Sequence, residues 1–175
     1  EKKAWKPFYA AAAGTSLEKV VWRAALRNQA AKKRGQAVAQ VVVDFKKFYE
    51  MVEHEVLEGR AEKLGFPEPL LRLILAGYRL ERRVGFENLV GNPLFARSGI
   101  IAGDTFATAL VKAFYAEQLD SFQERWREIG GKAGVEVELA AYIDDLSVTV
   151  RGPTAAVVKF MPEWEADLVN TMEAH

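Results

Sequence analysis

The chain has 175 residues, half of them hydrophobic, with 24 basic side chains balancing 24 acidic ones. That is enough apolar residue for a core, but no run of 18 would span a bilayer, and no cysteine is present for disulfides or a thiolate zinc site. The first residues, Glu1-Lys2-Lys3-Ala4-Trp5-Lys6-Pro7, lack an apolar signal core, so an intracellular, non-secreted protein without a membrane span is expected. The charge is unevenly placed. Residues 1–40 hold nine Lys/Arg against two Glu, a net of +7, and the rest holds 15 against 22, a net of −7. A basic first quarter beside an acidic body suits phosphate contacts in one region and cation-binding carboxylates in another.

In chain order, Thr15-Ser16-Leu17-Glu18 reads as a capping box, with Thr15 as the cap and Glu18 reaching back to it. The helix it opens should run to Lys33 or Arg34 and stop at Gly35. Its polar face carries Lys19, Arg23, Arg27, Lys32, Lys33 and Arg34, a candidate nucleic-acid contact or simply a solvated face. A strand over 37–44 follows, its Val41-Val42-Val43 run suited to burial on both faces. A helix is expected over 47–63, broken at Gly65, and another after Pro67 and Pro69 on the stripe Leu70, Leu71, Ile74 and Leu75.

Residues 84–90 and 93–98 flank Gly91-Asn92, which reads as a hairpin turn. The longest helix should begin near Gly103 or Asp104, with Asp104 as its cap, and end at Gly130-Gly131. Strand-forming runs at 135–141 and 146–150 then enclose Tyr142-Ile143-Asp144-Asp145, and a last helix opens at Gly152-Pro153-Thr154. This order predicts an α+β domain: an antiparallel sheet with helices packed on one face.

Two adjacent carboxylates at a hairpin tip repel each other, and a divalent cation removes the penalty. Mg²⁺ favours carboxylate oxygens together with substrate phosphates. Asp44, closing the valine run, is a third candidate ligand, and three strand-end aspartates point to two-metal phosphoryl transfer. Each residue also has a plainer reading: Asp44 as a helix cap and Asp144-Asp145 as a polar turn. Phe48 and Tyr49 fit a core, and Trp22, Trp126 and Trp164 fit a core or a domain contact, with base stacking as the other reading. Lys46 and Lys47 either offset the acidic cluster or touch phosphate. His54 and His175 have no evident partner.

Three blocks in order carry a family likeness. Val43-Asp44-Phe45-Lys46-Lys47-Phe48-Tyr49, Gly99-Ile100-Ile101-Ala102-Gly103-Asp104-Thr105-Phe106-Ala107-Thr108 and Tyr142-Ile143-Asp144-Asp145 resemble the blocks of the reverse transcriptase palm, particularly the non-LTR retrotransposon type. The resemblance covers roughly residues 10–160. It implies a ferredoxin-like β-α-β-β-α-β palm core over 37–175, preceded by a partial helical fingers segment over 1–36. It implies an RNA-directed DNA polymerase that extends a primer on an RNA or DNA template with deoxynucleoside triphosphates. Asp44, Asp144 and Asp145 would be catalytic. They would hold two Mg²⁺ ions, for which Mn²⁺ substitutes, with the Phe45 carbonyl as a further ligand.

Tyr49, beside Phe48, would lie under the incoming sugar and exclude a 2′-hydroxyl, and Gly103 and Ala102 would approach the nucleotide. Ala102 departs from the family's glutamine, and Ala107-Thr108-Ala109 lacks its proline. More fingers, a later palm strand and a thumb are expected elsewhere in the parent protein, and the isolated piece is expected to polymerise little. An RNA-directed RNA polymerase palm and a non-catalytic palm-like binding module are the competing readings.

Overall fold

The computed structural model describes residues 16–45, 47–142 and 145–173. Thr15, Lys46, Ile143, Asp144 and His175 lie outside the described residues. The described chain divides into two compact units, a helical one over 47–115 and a sheet unit over 16–45 and 116–173. The fold is mixed α and β with antiparallel sheets.

In the sheet unit, α1 spans Leu17–Lys33 and β1 spans Ala37–Asp44, both where sequence places them. The cap differs: Ser16, not Thr15, is the N-cap, and its hydroxyl accepts the Lys19 N–H at 3.2 Å. An extended Ser one residue nearer the helix satisfies the orphan donor directly. Strands β4 (Glu136–Tyr142) and β5 (Asp145–Gly152) form an antiparallel pair, and β1 pairs with the other edge of β5. The order β1-β5-β4 places β5 in the middle, which is why its residues from Val148 onward are all buried.

Helices cover both faces of this sheet, not one. Alternate strand residues point to opposite faces. Glu138 bonds to Arg27 of α1, whereas Val137 lies against Gly130 of helix α4 (Ala107–Ala133). α4 passes straight through Gly130-Gly131 and ends at Gly134, whose φ of +74° needs a residue without Cβ. Gly130 is there for packing: a Cβ on it would stand 2.8 Å from Val137 Cγ2 and 3.0 Å from the Val135 carbonyl oxygen.

Helix α5 (Thr154–Glu173) joins α4 through an aromatic cluster. Trp126 meets Phe160 edge-on at 5.1 Å, and Phe122 meets Trp164 at 6.1 Å. On the other face, the buried Arg151 guanidinium donates to Asn28 Oδ1 of α1 at 2.6 Å and pairs with Glu138 at 2.7 Å. Arg27 pairs with the same Glu138 at 2.7 Å, so one carboxylate joins two arginines. Arg151→Met leaves Glu138 its second partner. The expected cost is therefore about 1–3 kcal/mol, below the ~3–5 kcal/mol of a fully orphaned buried charge, read by urea unfolding.

In the helical unit, α2 (His54–Lys63) and α3 (Glu68–Tyr78) bury Leu57, Ala61, Leu71 and Leu75. α2 starts seven residues later than periodicity predicts. Lys47 has φ +55°, and the Met51 N–H closes a turn on its carbonyl, so 47–51 is a turn and not a helical start. The hairpin also turns elsewhere. β2 (Gly85–Phe86) and β3 (Leu89–Val90) pair around Glu87-Asn88, with Glu87 at φ +53°. Arg82 bridges Leu94, so the returning arm carries one extra residue, and Gly91-Asn92 sits in that irregular stretch. The described strands thus form two separate sheets.

Candidate active site

β1 ends on Asp44 and β5 begins on Asp145, and the two are direct register partners. A one-residue slip would move Val148 and Val150 to the face where Arg151 meets Asn28 and Glu138, and Arg151 into the apolar face. Opposed residues in an antiparallel pair have Cα atoms only about 4.5–5.5 Å apart. Both aspartates are exposed, and neither has an ion-pair partner among the described residues. Like charges directly opposite each other destabilise a sheet, and nothing else described there offsets them. Tyr142 flanks Asp145 from β4, and Phe45 follows Asp44 half-buried.

Two hard oxygen donors side by side in solvent suit a divalent cation such as Mg²⁺. Among the described residues no group of three or more such ligands forms. The remaining expected ligand, Asp144, lies outside them.

In the helical unit, Tyr49 and the second glycine-bearing block come together. Three main-chain hydrogen bonds zip 49–54 against 97–100. Ile100 N–H donates to Tyr49 O at 2.9 Å, Gly99 N–H to Val52 O at 2.8 Å and His54 N–H to Arg97 O at 3.1 Å, and Glu53 bridges Ser98. Tyr49 and the Gly99–Gly103 block, half a hundred residues apart in sequence, are therefore neighbours. Gly99 sits at φ +99°, with a Cβ position 3.7 Å from Glu50 Cα. Gly103 has φ +87° and open space around it, and Ala102 is exposed.

Tyr49 is half-buried and edge-on to Phe48 at 5.6 Å. Phe48 is buried and stacked on Tyr115 at 4.9 Å, a packing role. α4 begins at Ala107, three residues later than expected, so Asp104 closes the turn before it and is not its N-cap: its carboxylate accepts Phe106 N–H at 2.7 Å, and its carbonyl accepts Ala107 N–H at 3.0 Å.

Lys19, Arg23 and Arg27 follow one another at i+4 along α1 and so share a face. Arg27 is committed to Glu138, and Arg34 is held by Gln36 at 3.3 Å. Lys19, Arg23, Lys32 and Lys33 are exposed without an ion pair among the described residues. Trp126 and Trp164 are buried as expected, but Trp22 is 62% exposed between Lys19 and Arg23, not in the core. Sequence reasoning passed over His54, Tyr78 and Arg151. Only the invariably awkward chemistry of a buried imidazole or guanidinium hints at them, and a sequence does not show burial.

The strand-end carboxylates Asp44 and Asp145 are the candidate cation site of this mixed α and β fold. The profile of the family described as reverse transcriptase (RNA-dependent DNA polymerase) matches residues 2–171, and the chain belongs to that family. No curated protein matches the chain. Membership implies binding of template, primer and deoxynucleoside triphosphates, and the family generally uses divalent metals. No helix of the described residues is long and apolar enough to cross a membrane.

Proposed function

We propose that this chain is the catalytic portion of an RNA-directed DNA polymerase of the non-LTR retrotransposon type, with a helical fingers segment over 1–36 and a palm over 37–175. The observation that carries the proposal is Asp44 directly across from Asp145 at the open ends of β1 and β5. Asp44, Asp145 and, by resemblance, Asp144 would hold two Mg²⁺ ions with the Phe45 carbonyl. Bound there, the cations supply activation of the primer 3′-hydroxyl and charge neutralisation of the leaving pyrophosphate. The chain's own part is positioning, which dominates phosphoryl transfer.

Tyr49, tied through its carbonyl to Ile100, presents a ring whose position is set by backbone bonds and not by its own rotamer alone. Such a ring excludes a ribose 2′-hydroxyl sterically. Gly103, lacking a side chain, lets the nucleotide come close. Ala102 offers no polar contact where the family has glutamine, so efficiency below that of glutamine-bearing relatives is expected. Lys19, Arg23, Lys32 and Lys33 take template or primer phosphates, and Arg27 and Arg34 contribute less because each already has a partner.

Primer extension on an RNA template by a polypeptide carrying this chain tests the reading. Deoxynucleotides should be incorporated and ribonucleotides refused, and Tyr49→Ala should admit ribonucleotides by at least about tenfold, since one steric clash is worth ~1.4 kcal/mol or more. Absence of any Asp145-dependent extension would overturn it.

A further inference from the structure

Gly99 and Gly103 open and close the turn that carries Ala102, and both have positive φ. Glycine moves freely among such conformations, so the turn's own sequence leaves it many shapes. A second set of residues selects one. His54 is 1% exposed, and its Nε2 lies 2.8 Å from the Gly99 carbonyl oxygen. A carbonyl only accepts, so the imidazole proton sits on Nε2. The ring stacks on Tyr78 with centroids 6.0 Å apart. Tyr78 is 2% exposed, and its hydroxyl makes no hydrogen bond among the described residues, to the Asp104 carboxylate or otherwise. Burial first, and that negative charge second, hold the phenol well above its ordinary range, so it keeps its proton. Asp104 in turn accepts the Phe106 N–H, and its own N–H donates to the Ile101 carbonyl at 3.1 Å.

His54 thus holds the Gly99 end of the turn, with the Tyr78 ring stacked behind it. The bland account, a histidine merely filling the core, fits poorly. Its Nδ1 is buried without a partner among the described residues, a cost that leucine in the same space would avoid. What histidine alone supplies is the N–H to Gly99.

We infer that His54 is a positioning residue that locks the Gly99–Gly103 turn in one conformation, and with it the nucleotide contact made by that turn. The second half rests on the function proposed above; the lock itself does not. Amide hydrogen exchange reads the lock directly. His54→Leu should speed exchange at Gly99 and Ile100 by about tenfold, the loss of roughly one hydrogen bond. Amides of β4 and β5 should stay unchanged. His54→Gln should stay within about threefold of the unsubstituted protein, because its amide N–H replaces the donor.

In primer extension, His54→Leu should raise the deoxynucleotide KM about tenfold while kcat stays within about threefold, with His54→Gln restoring KM. Unaltered turn exchange in His54→Leu, or an equal loss of protection in the sheet, overturns the lock whatever the activity. A loosened turn with unchanged KM overturns its role toward nucleotide. No extension by a longer polypeptide carrying the unsubstituted chain counts against the proposed function, while the exchange data still decide the lock.

Discussion

Asp44→Asn should make the cation-free protein more stable and the polymerase inactive. Asp44 and Asp145 face each other across β1 and β5, exposed and without ion-pair partners among the described residues. Removing one of two opposed like charges is worth about 0.2–1 kcal/mol in a sheet, which for a chain this size raises Tm by roughly 1–4 °C. Added Mg²⁺ should reverse the order. It stabilises the unsubstituted protein by mass action and leaves the variant, lacking a ligand, nearly unmoved. Extension should fall by at least about a thousandfold, since a missing charge clamp removes several kcal/mol of transition-state stabilisation and ~1.4 kcal/mol is tenfold. Thermal melting with and without Mg²⁺, beside primer extension, checks both halves. A variant that melts lower without cation, or retains activity, would show that this pair is ordinary strand-end polarity.

Trp164→Ala should produce the largest loss of stability. Trp164 is fully buried and edge-on to Phe122, in the cluster where Trp126 and Phe160 join α4 to α5. Truncating a buried tryptophan costs about 3–5 kcal/mol through lost transfer energy and the cavity left behind. Urea unfolding followed by near-ultraviolet circular dichroism would measure it. Trp164→Phe is the informative control. The indole Nε1–H has no partner among the described residues, so phenylalanine discards an unsatisfied donor along with some packing. Its cost should stay below about 1.5 kcal/mol, as for swaps that nearly conserve volume. Equal losses for Ala and Phe would mean the indole N–H is bonded.

The elements most legible in the sequence are those whose signals are local. β1 runs over 37–44 because Gly35 stops the preceding helix and a valine run follows. α3 follows from Pro67, Pro69 and a leucine–isoleucine stripe that ends up buried. Local signals failed where a residue answers to distant neighbours. Gly130-Gly131 looks like a helix stop, yet Gly130 is spaced for Val135 and Val137 across from it. Gly91-Asn92 looks like a turn, yet the chain reverses at Glu87-Asn88. Lys47 sits in a stretch of helical pattern, yet the zipper of 49–54 with 97–100 holds 47–51 as a turn.

The candidate site divides the same way. The identity of the acidic residues, the aromatic after Asp44 and the glycines of the second block are matters of residue type and spacing, readable without a fold. Pairing Asp44 with Asp145, bringing Tyr49 to Ile100 and burying His54 against Gly99 depend on contacts between residues 45 to about 100 positions apart. Such contacts form only when a hydrophobic register is chosen among competing ones, and each loop closure costs entropy that only the assembled core repays. Helix period and capping are settled within a few residues by the backbone's own hydrogen bonds. Which carboxylate meets which, and which glycine is locked, is settled by packing across the whole unit.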